Sequence, residues 1–282
     1  MPSLKSLKNC WKKWTGPRWF TLPPSSIPWP WILINANNPR SGLSYIKKYK
    51  EIIEFVIIDS GVERFRNPKN KDYPPGWIER LVDLYSRVKR IVGDKVLVNA
   101  PDVPADYPSN DIRDNIEKTI NHVVEAISNY RNVRWLIPVQ GRYMQPKSFI
   151  KCIMVYDALG ITKLFRYFSI GNLCTTKRVK IIIESINIVR SLLPTKYLHY
   201  FGLYLRALPY VKSKINSFDS VRYTFPTTYA KRLGMNYSCK NKAQRELYFV
   251  HYLKRILLLL YPDAKPYSYS KGSPEPFYSF PY

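Results

Sequence analysis

The 282-residue chain is poor in cysteine, glycine and acidic residues. Its four cysteines form no Cys-x-x-Cys pair, which argues against a zinc knuckle and against a dense disulfide framework. They are Cys10, Cys152, Cys174 and Cys239. The eleven glycines include no Gly-x-Gly-x-x-Gly turn, the usual mark of a doubly wound dinucleotide-binding sheet. The three histidines have no metal-ligand spacing, and we expect structural or surface roles for His122, His199 and His251.

Long apolar segments are also lacking. The run "ILLLLY" at residues 256–261 is far too short to cross a bilayer. The first residues, "MPSLKSLKNCWKKW", carry charge but no apolar stretch of the length that a signal peptide needs. We therefore expect a soluble protein of the cytoplasm, or of the host-cell cytoplasm if the protein is viral, with no membrane partner.

Negative charge is scarce, because 45 Lys and Arg residues face only 20 Asp and Glu, a formal net charge of +25. A field of that sign attracts polyanions, and nucleic acid is the commonest of these. An anionic membrane surface is the alternative, but no long basic helix with a clean apolar face is evident. The charge thus favours a nucleic-acid partner, while the sequence does not indicate an oligomeric state.

Short apolar runs alternate with longer segments of helical periodicity, which predicts βαβ units and a parallel sheet. Eight such runs, the number that closes a (β/α)8 barrel, are found at residues 18–23, 31–36, 55–59, 95–100, 134–140, 165–171, 197–203 and 218–225. Helices are predicted at 76–93, 110–130, 147–160, 177–193 and 242–261. The fold class is therefore α/β, a single-domain (β/α)8 barrel with irregular extensions.

The two ends of the chain differ from its middle. Residues 1–30 form a basic, aromatic extension that includes the first barrel strand, and residues 31–261 form the barrel. Residues 262–282 form a tail rich in Pro and Tyr, which we expect to be irregular. The N-terminal tryptophans either close the barrel floor or stack on displaced bases, and the tail tyrosines offer a second stacking surface.

Active sites of (β/α)8 barrels lie in the loops that follow the strands. In this chain these loops carry Asp59-Ser60-Gly61, Asp102, Gln140-Gly141 and Gly171, and the last strand carries Asp219. An amide and a carboxylate together read both donors and acceptors of a flat heterocycle. Two further carboxylates serve as nucleophile and general acid/base in double displacement at a sugar carbon. Taken singly, each carboxylate could instead be a turn residue or an ion-pair partner.

The order of short motifs resembles the tRNA-guanine transglycosylase family and its relatives that insert 7-deazaguanines into DNA. These motifs are "DSG", "APD", "PVQG", "SIGNL", "FGL" and "FDSV", and they span roughly residues 31–226. The resemblance implies that Asp219 attacks the ribosyl C1′ and that Asp59 is the general acid/base. It also implies that Asp102 reads the N1–H and amino edge of guanine.

Further site residues follow from the same resemblance. Gln140 and the backbone of Gly171 match groups that hold the carbonyl oxygen of the base. Ser60, Gly61 and Gly141 are expected to help bind it. The incoming base would be preQ0 or a related 7-deazaguanine, and no cofactor is implied.

The sequence departs from the tRNA-modifying enzymes in ways that favour a DNA substrate. Beyond Asp219 only Cys239 and His251 remain of the expected zinc motif, so no metal is predicted. "DSGVERF" lacks the second glycine and the Phe-Gln of "DSGGFQ", which makes stacking by Phe65 doubtful. Three alternatives stay open: a tRNA substrate, an inactive nucleic-acid-binding barrel, and a barrel glycosidase or nucleosidase for small substrates.

Overall fold

The computed structural model describes Trp11 and residues 14–105, 113–220 and 242–262. Within them eight parallel strands follow one another around a nearly closed barrel, in the order β1-β8-β7-β6-β5-β4-β3-β2. The strands are β1 Arg18–Phe20, β2 Trp31–Ile34, β3 Phe55–Ile58, β4 Val96–Asn99, β5 Trp135–Val139, β6 Tyr167–Ile170, β7 Tyr197–Tyr200 and β8 Ser217–Asp219. The fold is a (β/α)8 barrel, as predicted.

The seam between β1 and β2 is joined just beyond the end of β1. Thr21 forms a parallel bridge with Ile32. The backbone N–H of Leu33 donates to the Thr21 carbonyl at 2.8 Å, and the Thr21 N–H donates to the Trp31 carbonyl at 3.3 Å. Because all strands run the same way, their carboxyl ends open at one mouth.

Helices cover the outside of the barrel. The described α-helices are α1 Arg40–Lys48, α2 Trp77–Val92, α3 Asn115–Asn129, α4 Phe149–Ala158, α5 Ile161–Leu164, α6 Val179–Leu192, α7 Leu208–Val211 and α8 Lys242–Leu260. Short 3-10 helices cover Val62–Arg66, Pro146–Ser148 and Leu205–Ala207. Among the described helices none combines the length and the apolarity that a bilayer crossing requires.

The predicted strands and helices are confirmed, with differences at their ends. The segment predicted as a helix at 147–160 begins as a 3-10 turn and divides at Gly160, whose φ of +74° starts α5. Of the last predicted strand, residues 221–225 lie outside the described part, as do residues 110–112 of one predicted helix. Most of the predicted tail also lies outside it, since the described chain ends at residue 262.

Helix α1 was missing from the sequence prediction. It is only nine residues long, and Ser41 and Gly42 near its start are poor helix formers. Packing explains the glycine, since a Cβ at Gly42 would lie 2.9 Å from Cγ1 of Ile34 on β2. The close approach of this helix to the sheet therefore outweighs the weak local propensity.

The N-terminal tryptophans are part of the packed structure. Trp19 and Trp29 are fully buried with ring centroids 5.2 Å apart. Trp19 stacks on Phe249 of α8 at 5.1 Å, and Trp11 meets Trp29 edge to face at 4.7 Å. These rings pack between α8 and the first two strands. Core packing therefore explains the N-terminal tryptophans better than stacking on nucleic-acid bases does.

Candidate active site

A cavity at the barrel mouth is lined by residues from the loops after β3, β4, β6 and β7. Of the residues predicted for the site, Asp59, Ser60, Asp102 and Gly171 line this cavity. Asp219, Gln140, Gly141 and Gly61 are not among its lining residues. Its volume is about 30 Å³, room for one or two water molecules. A flat heterocycle could enter only if side chains at this mouth moved apart.

Asp102 is the centre of a buried polar cluster. Its Oδ1 accepts a hydrogen bond from Asn99 Nδ2 at 2.9 Å and another from the Ser60 hydroxyl. Its Oδ2 accepts one from Gln140 Nε2. Asp102 is 4% exposed and Gln140 is fully buried. Three neutral donors thus hold this carboxylate in a fixed orientation at the cavity wall.

Gln140 and Gly171 meet closely beside Asp102. A Cβ at Gly171 would collide with Gln140 Nε2 and would lie 3.2 Å from Asp102 Oδ2. A glycine is therefore required where the backbone passes this pair. Among the described residues no donor reaches the buried Gln140 Oε1, so this acceptor is unpaired beside Asp102.

Hydrogen bonds and close packing within the fold surround Gly141. Its carbonyl accepts hydrogen bonds from Asn115 Nδ2 at 2.9 Å and from Asn172 Nδ2. A Cβ at this position would lie 2.6 Å from the Phe149 ring. The close packing of α4 against the strand end explains this glycine, and its carbonyl is already engaged.

Asp59 lies at the mouth with one oxygen held by backbone. Its Oδ1 accepts from the Gly61 N–H at 2.7 Å and from the Ala36 N–H at 3.4 Å. Burial raises the pKa of Asp59 to about 7, an effect that these two backbone hydrogen bonds oppose. The charges of Glu63 and Asp219 raise the pKa further. Near neutral pH the group is therefore divided between acid and carboxylate, as a proton donor and acceptor must be.

Asp219 ends β8 in a different environment. It is 5% exposed, and its Oδ1 accepts from the Gly202 N–H at 2.8 Å. His199 Nε2 lies 3.6 Å from the same oxygen. Among the described residues no donor is found for Oδ2. One carboxylate oxygen is thus held by the backbone, while the other accepts no hydrogen bond from the described residues.

Contacts with Trp77 restrict the loop that carries Asp59. Gly61 has a φ of +88°, and a Cβ there would lie 2.7 Å from the Trp77 ring. Trp77 Nε1 donates to the Ser60 carbonyl at 2.9 Å. Phe65 is fully buried in a small cluster with Val103, so its ring supports the loop and does not face the cavity.

Sequence reasoning missed the polar residues inside the strands. Asn99 and Ser169 are buried and bonded to each other at 2.6 Å, beneath Asp102. His199, expected to be structural or at the surface, is fully buried beside Asp219. These three residues could have been found in the sequence as polar side chains within two residues of a strand's carboxyl end. An inward-facing residue at that position reaches the mouth of the barrel.

The described residues offer no metal centre. In those ranges, which leave out Cys10 and Cys239, no group of three or more His, Cys, Asp or Glu side chains is placed to hold an ion. The arrangement of the site is one of carboxylates, amides and backbone N–H groups. Such groups provide acid–base and nucleophilic chemistry.

Comparison with known proteins adds little to this geometry. No family model and no curated protein matches the chain. Among solved structures, the chain is similar to the carboxyl transferase domain of Rhizobium etli pyruvate carboxylase, in a structure with 3-hydroxypyruvate. The identity is 10% and the TM-score 0.39, and the match covers 83% of this chain and 41% of the other. The likeness therefore carries no functional conclusion, which must come from the residues of the site.

Proposed function

We propose that the protein is a base-exchange transglycosylase. It replaces guanine in nucleic acid, with DNA the favoured polymer, by a 7-deazaguanine such as preQ0. The reaction passes through a covalent bond between Asp219 and the sugar. The observation that carries this proposal is the pair of unlike carboxylates: Asp59, with a pKa of about 7, and Asp219, with one oxygen held by the backbone and one that accepts no hydrogen bond from the described residues.

The unlike environments match the two roles that such a reaction requires. Oδ2 of Asp219 forms a bond to C1′ while the bond from C1′ to the base nitrogen breaks, and the electron pair leaves with the base. Protonated Asp59 gives its proton to the departing base, which is a poor leaving group as an anion. The incoming base then loses a proton to Asp59 and displaces Asp219, so the enzyme returns to its starting state.

The Asp102 cluster supports recognition of a lactam edge. Gln140 Nε2 and Asp102 Oδ2 now satisfy each other as donor and acceptor. A ring that presents a carbonyl beside an N–H would insert between them and satisfy both groups. Guanine and 7-deazaguanines carry this edge, and their exocyclic amine provides a further donor to Asp102.

Exposed cations around the mouth supply a surface for the phosphate backbone. The loops after β3, β5, β6 and β7 all contribute to this surface, which we call the rim. Its exposed members are Arg66, Lys69, Arg142, Lys147, Lys177, Arg178 and Arg206. A guanosine reaching the cavity must leave its stack, at a cost of a few kcal/mol, and phosphate contacts at the rim would offset that cost.

Base exchange is the direct test. Purified protein is incubated with radiolabelled guanine and either duplex DNA or total tRNA, and the label in the polymer is counted. We expect label in DNA. Label in tRNA alone would support the tRNA alternative, and free base released without incorporation would support a nucleosidase. Binding without label in either polymer would favour the inactive barrel.

A further inference from the structure

A line of three side chains, two of them fully buried, leads from the first residue of β7 to Asp219. The Tyr197 hydroxyl donates to Ser217 Oγ at 2.7 Å. Ser217 Oγ lies 2.8 Å from His199 Nδ1, and His199 Nε2 lies 3.6 Å from Asp219 Oδ1. His199 and Ser217 are both fully buried, and they stand opposite each other in the pairing of β7 with β8.

The hydrogen bonds of Ser217 favour one tautomer of the imidazole. Ser217 Oγ accepts from Tyr197, and His199 Nδ1 is the acceptor within reach of its own proton among the described residues. Nδ1 is then an acceptor, and the ring proton must sit on Nε2, facing Asp219. Among the described residues Nε2 has no hydrogen-bond partner, and the 3.6 Å gap is longer than a hydrogen bond. A movement of under about 1 Å would complete the bond.

The surroundings keep the ring uncharged. The Phe201 and Phe20 rings meet it edge to face at 4.5 and 5.5 Å, and Ser217 and Asp219 face its two nitrogens. Burial lowers the pKa of His199, and the neighbouring Asp219 opposes this only in part. A neutral Nε2–H donor orients a carboxylate without forming an ion pair that would weaken it as a nucleophile.

We propose that His199 is a positioning residue for the reaction: it and the Gly202 N–H together hold Oδ1 of Asp219, so that Oδ2 is the oxygen that attacks. Ser217 and Tyr197 act through His199 by setting its tautomer. This inference rests on the proposed function for the chemistry, but the tautomer and the contact with Asp219 do not depend on it.

Kinetics of base exchange into duplex DNA test the role. His199→Phe keeps the aromatic packing but removes the donor, and we expect kcat to fall about 10- to 100-fold with KM for DNA nearly unchanged. His199→Gln returns an N–H donor and should recover most of kcat. Ser217→Ala should show a smaller loss, about 3- to 10-fold, and exposed His251→Asn should match the wild type. His199→Phe with wild-type kcat would overturn the role.

Nitrogen NMR of protein labelled with 15N-histidine tests the contact without requiring activity. The chain has three histidines, and His122→Asn and His251→Asn assign the signals. We expect a neutral Nε2–H tautomer at His199 from pH 6 to 8, a changed Nε2 shift in Asp219→Asn, and a mixed tautomer in Ser217→Ala. A protonated ring, or an Nδ1–H tautomer in the wild type, would overturn the inference. Wild-type protein that exchanges no base would overturn the proposed function instead.

Discussion

Both ends of the barrel carry lysine and arginine side chains, but the contacts of these side chains differ between the two ends. At the end opposite the mouth, basic side chains bond to backbone carbonyls: Lys95 to Ile53 at 2.9 Å and Lys212 to Leu260 at 2.8 Å. At the mouth, the rim cations are exposed, and the buried polar groups bond to one another around Asp102. The net charge alone would not separate these uses, because some cations at the end opposite the mouth are bonded to backbone carbonyls, whereas others there and those of the rim are exposed.

The largest expected effect is at the nucleophile. Asp219→Ala should lower base exchange by at least about 1,000-fold, because no covalent intermediate can form. Incorporation of labelled guanine into DNA measures the loss. Asp83→Ala, which removes an exposed carboxylate on α2, is the matched control and should retain full exchange. An Asp219→Ala protein that still exchanges bases would refute the assignment.

The next effect concerns the end opposite the mouth. The Arg190 guanidinium donates to the carbonyls of Leu193, Pro194, Lys196 and Lys214 at 2.7–3.1 Å. Arg190→Met should lower the free energy of unfolding by about 1–3 kcal/mol, because one exposed and three part-buried carbonyls lose their donor. Urea denaturation at pH 7 measures it. The control, Arg178→Met at the rim, should change stability by less than about 0.5 kcal/mol. Equal losses would contradict the contrast between the ends.

A charge-matched pair of triple variants sharpens the comparison further. Replacing Lys147, Lys177 and Arg178 by Ala removes three rim charges. We expect weaker DNA binding and a slope of log affinity against log salt that is shallower by about 2 to 3, since each lost phosphate contact contributes about 0.9. Fluorescence anisotropy over a salt series measures both quantities.

The control triple removes the same charge from the opposite end. Lys47, Lys50 and Lys163 are exposed there, and their replacement by Ala should leave the slope within about 1 of the wild type. If both triples change the slope alike, the polymer has no preferred end and the rim assignment is wrong.

The smallest effect is on stability at Asp59. Its pKa is about 7 in the folded protein against 3.8 in the reference state. The folded protein therefore binds more protons than the unfolded chain between about pH 4 and pH 7, and stability falls as the pH rises through that window. Asp59→Asn should be more stable than the wild type by about 1–2 kcal/mol at pH 8, with the difference vanishing below about pH 4. Thermal or urea unfolding across pH measures this, and a pH-independent difference would contradict the raised pKa.

The sequence was sufficient to predict the barrel and the residues at its mouth. Each strand reads as a short apolar run, and Asp59, Asp102, Gln140 and Gly171 directly follow such runs, so a local pattern marks them. Closure of a parallel sheet then brings them together without further information. The last strand was predicted at residues 218–225, with Asp219 near its start, whereas β8 covers Ser217–Asp219 and Asp219 is its last residue. Residues 221–225 lie outside the described part.

The sequence could not predict the contacts beneath the site. Strands covered on both faces lose the alternation that would tell inward from outward positions, so Asn99, Ser169 and His199 read as isolated polar residues in apolar runs. Asn99 and Ser169 lie 70 residues apart in the chain, and His199 and Ser217 lie 18 residues apart. They are brought together by the pairing of both β4 and β6 with β5, and by the pairing of β7 with β8.

The covalent intermediate tests the central claim most directly. A guanine-containing DNA oligonucleotide is mixed with the protein, quenched with acid, and analysed by intact-mass spectrometry and peptide mapping. We predict an adduct of the mass of protein plus oligonucleotide minus guanine, attached at Asp219, absent from Asp219→Ala and reduced by excess free guanine. An adduct on another residue, or label exchange with no adduct at Asp219, would contradict the account.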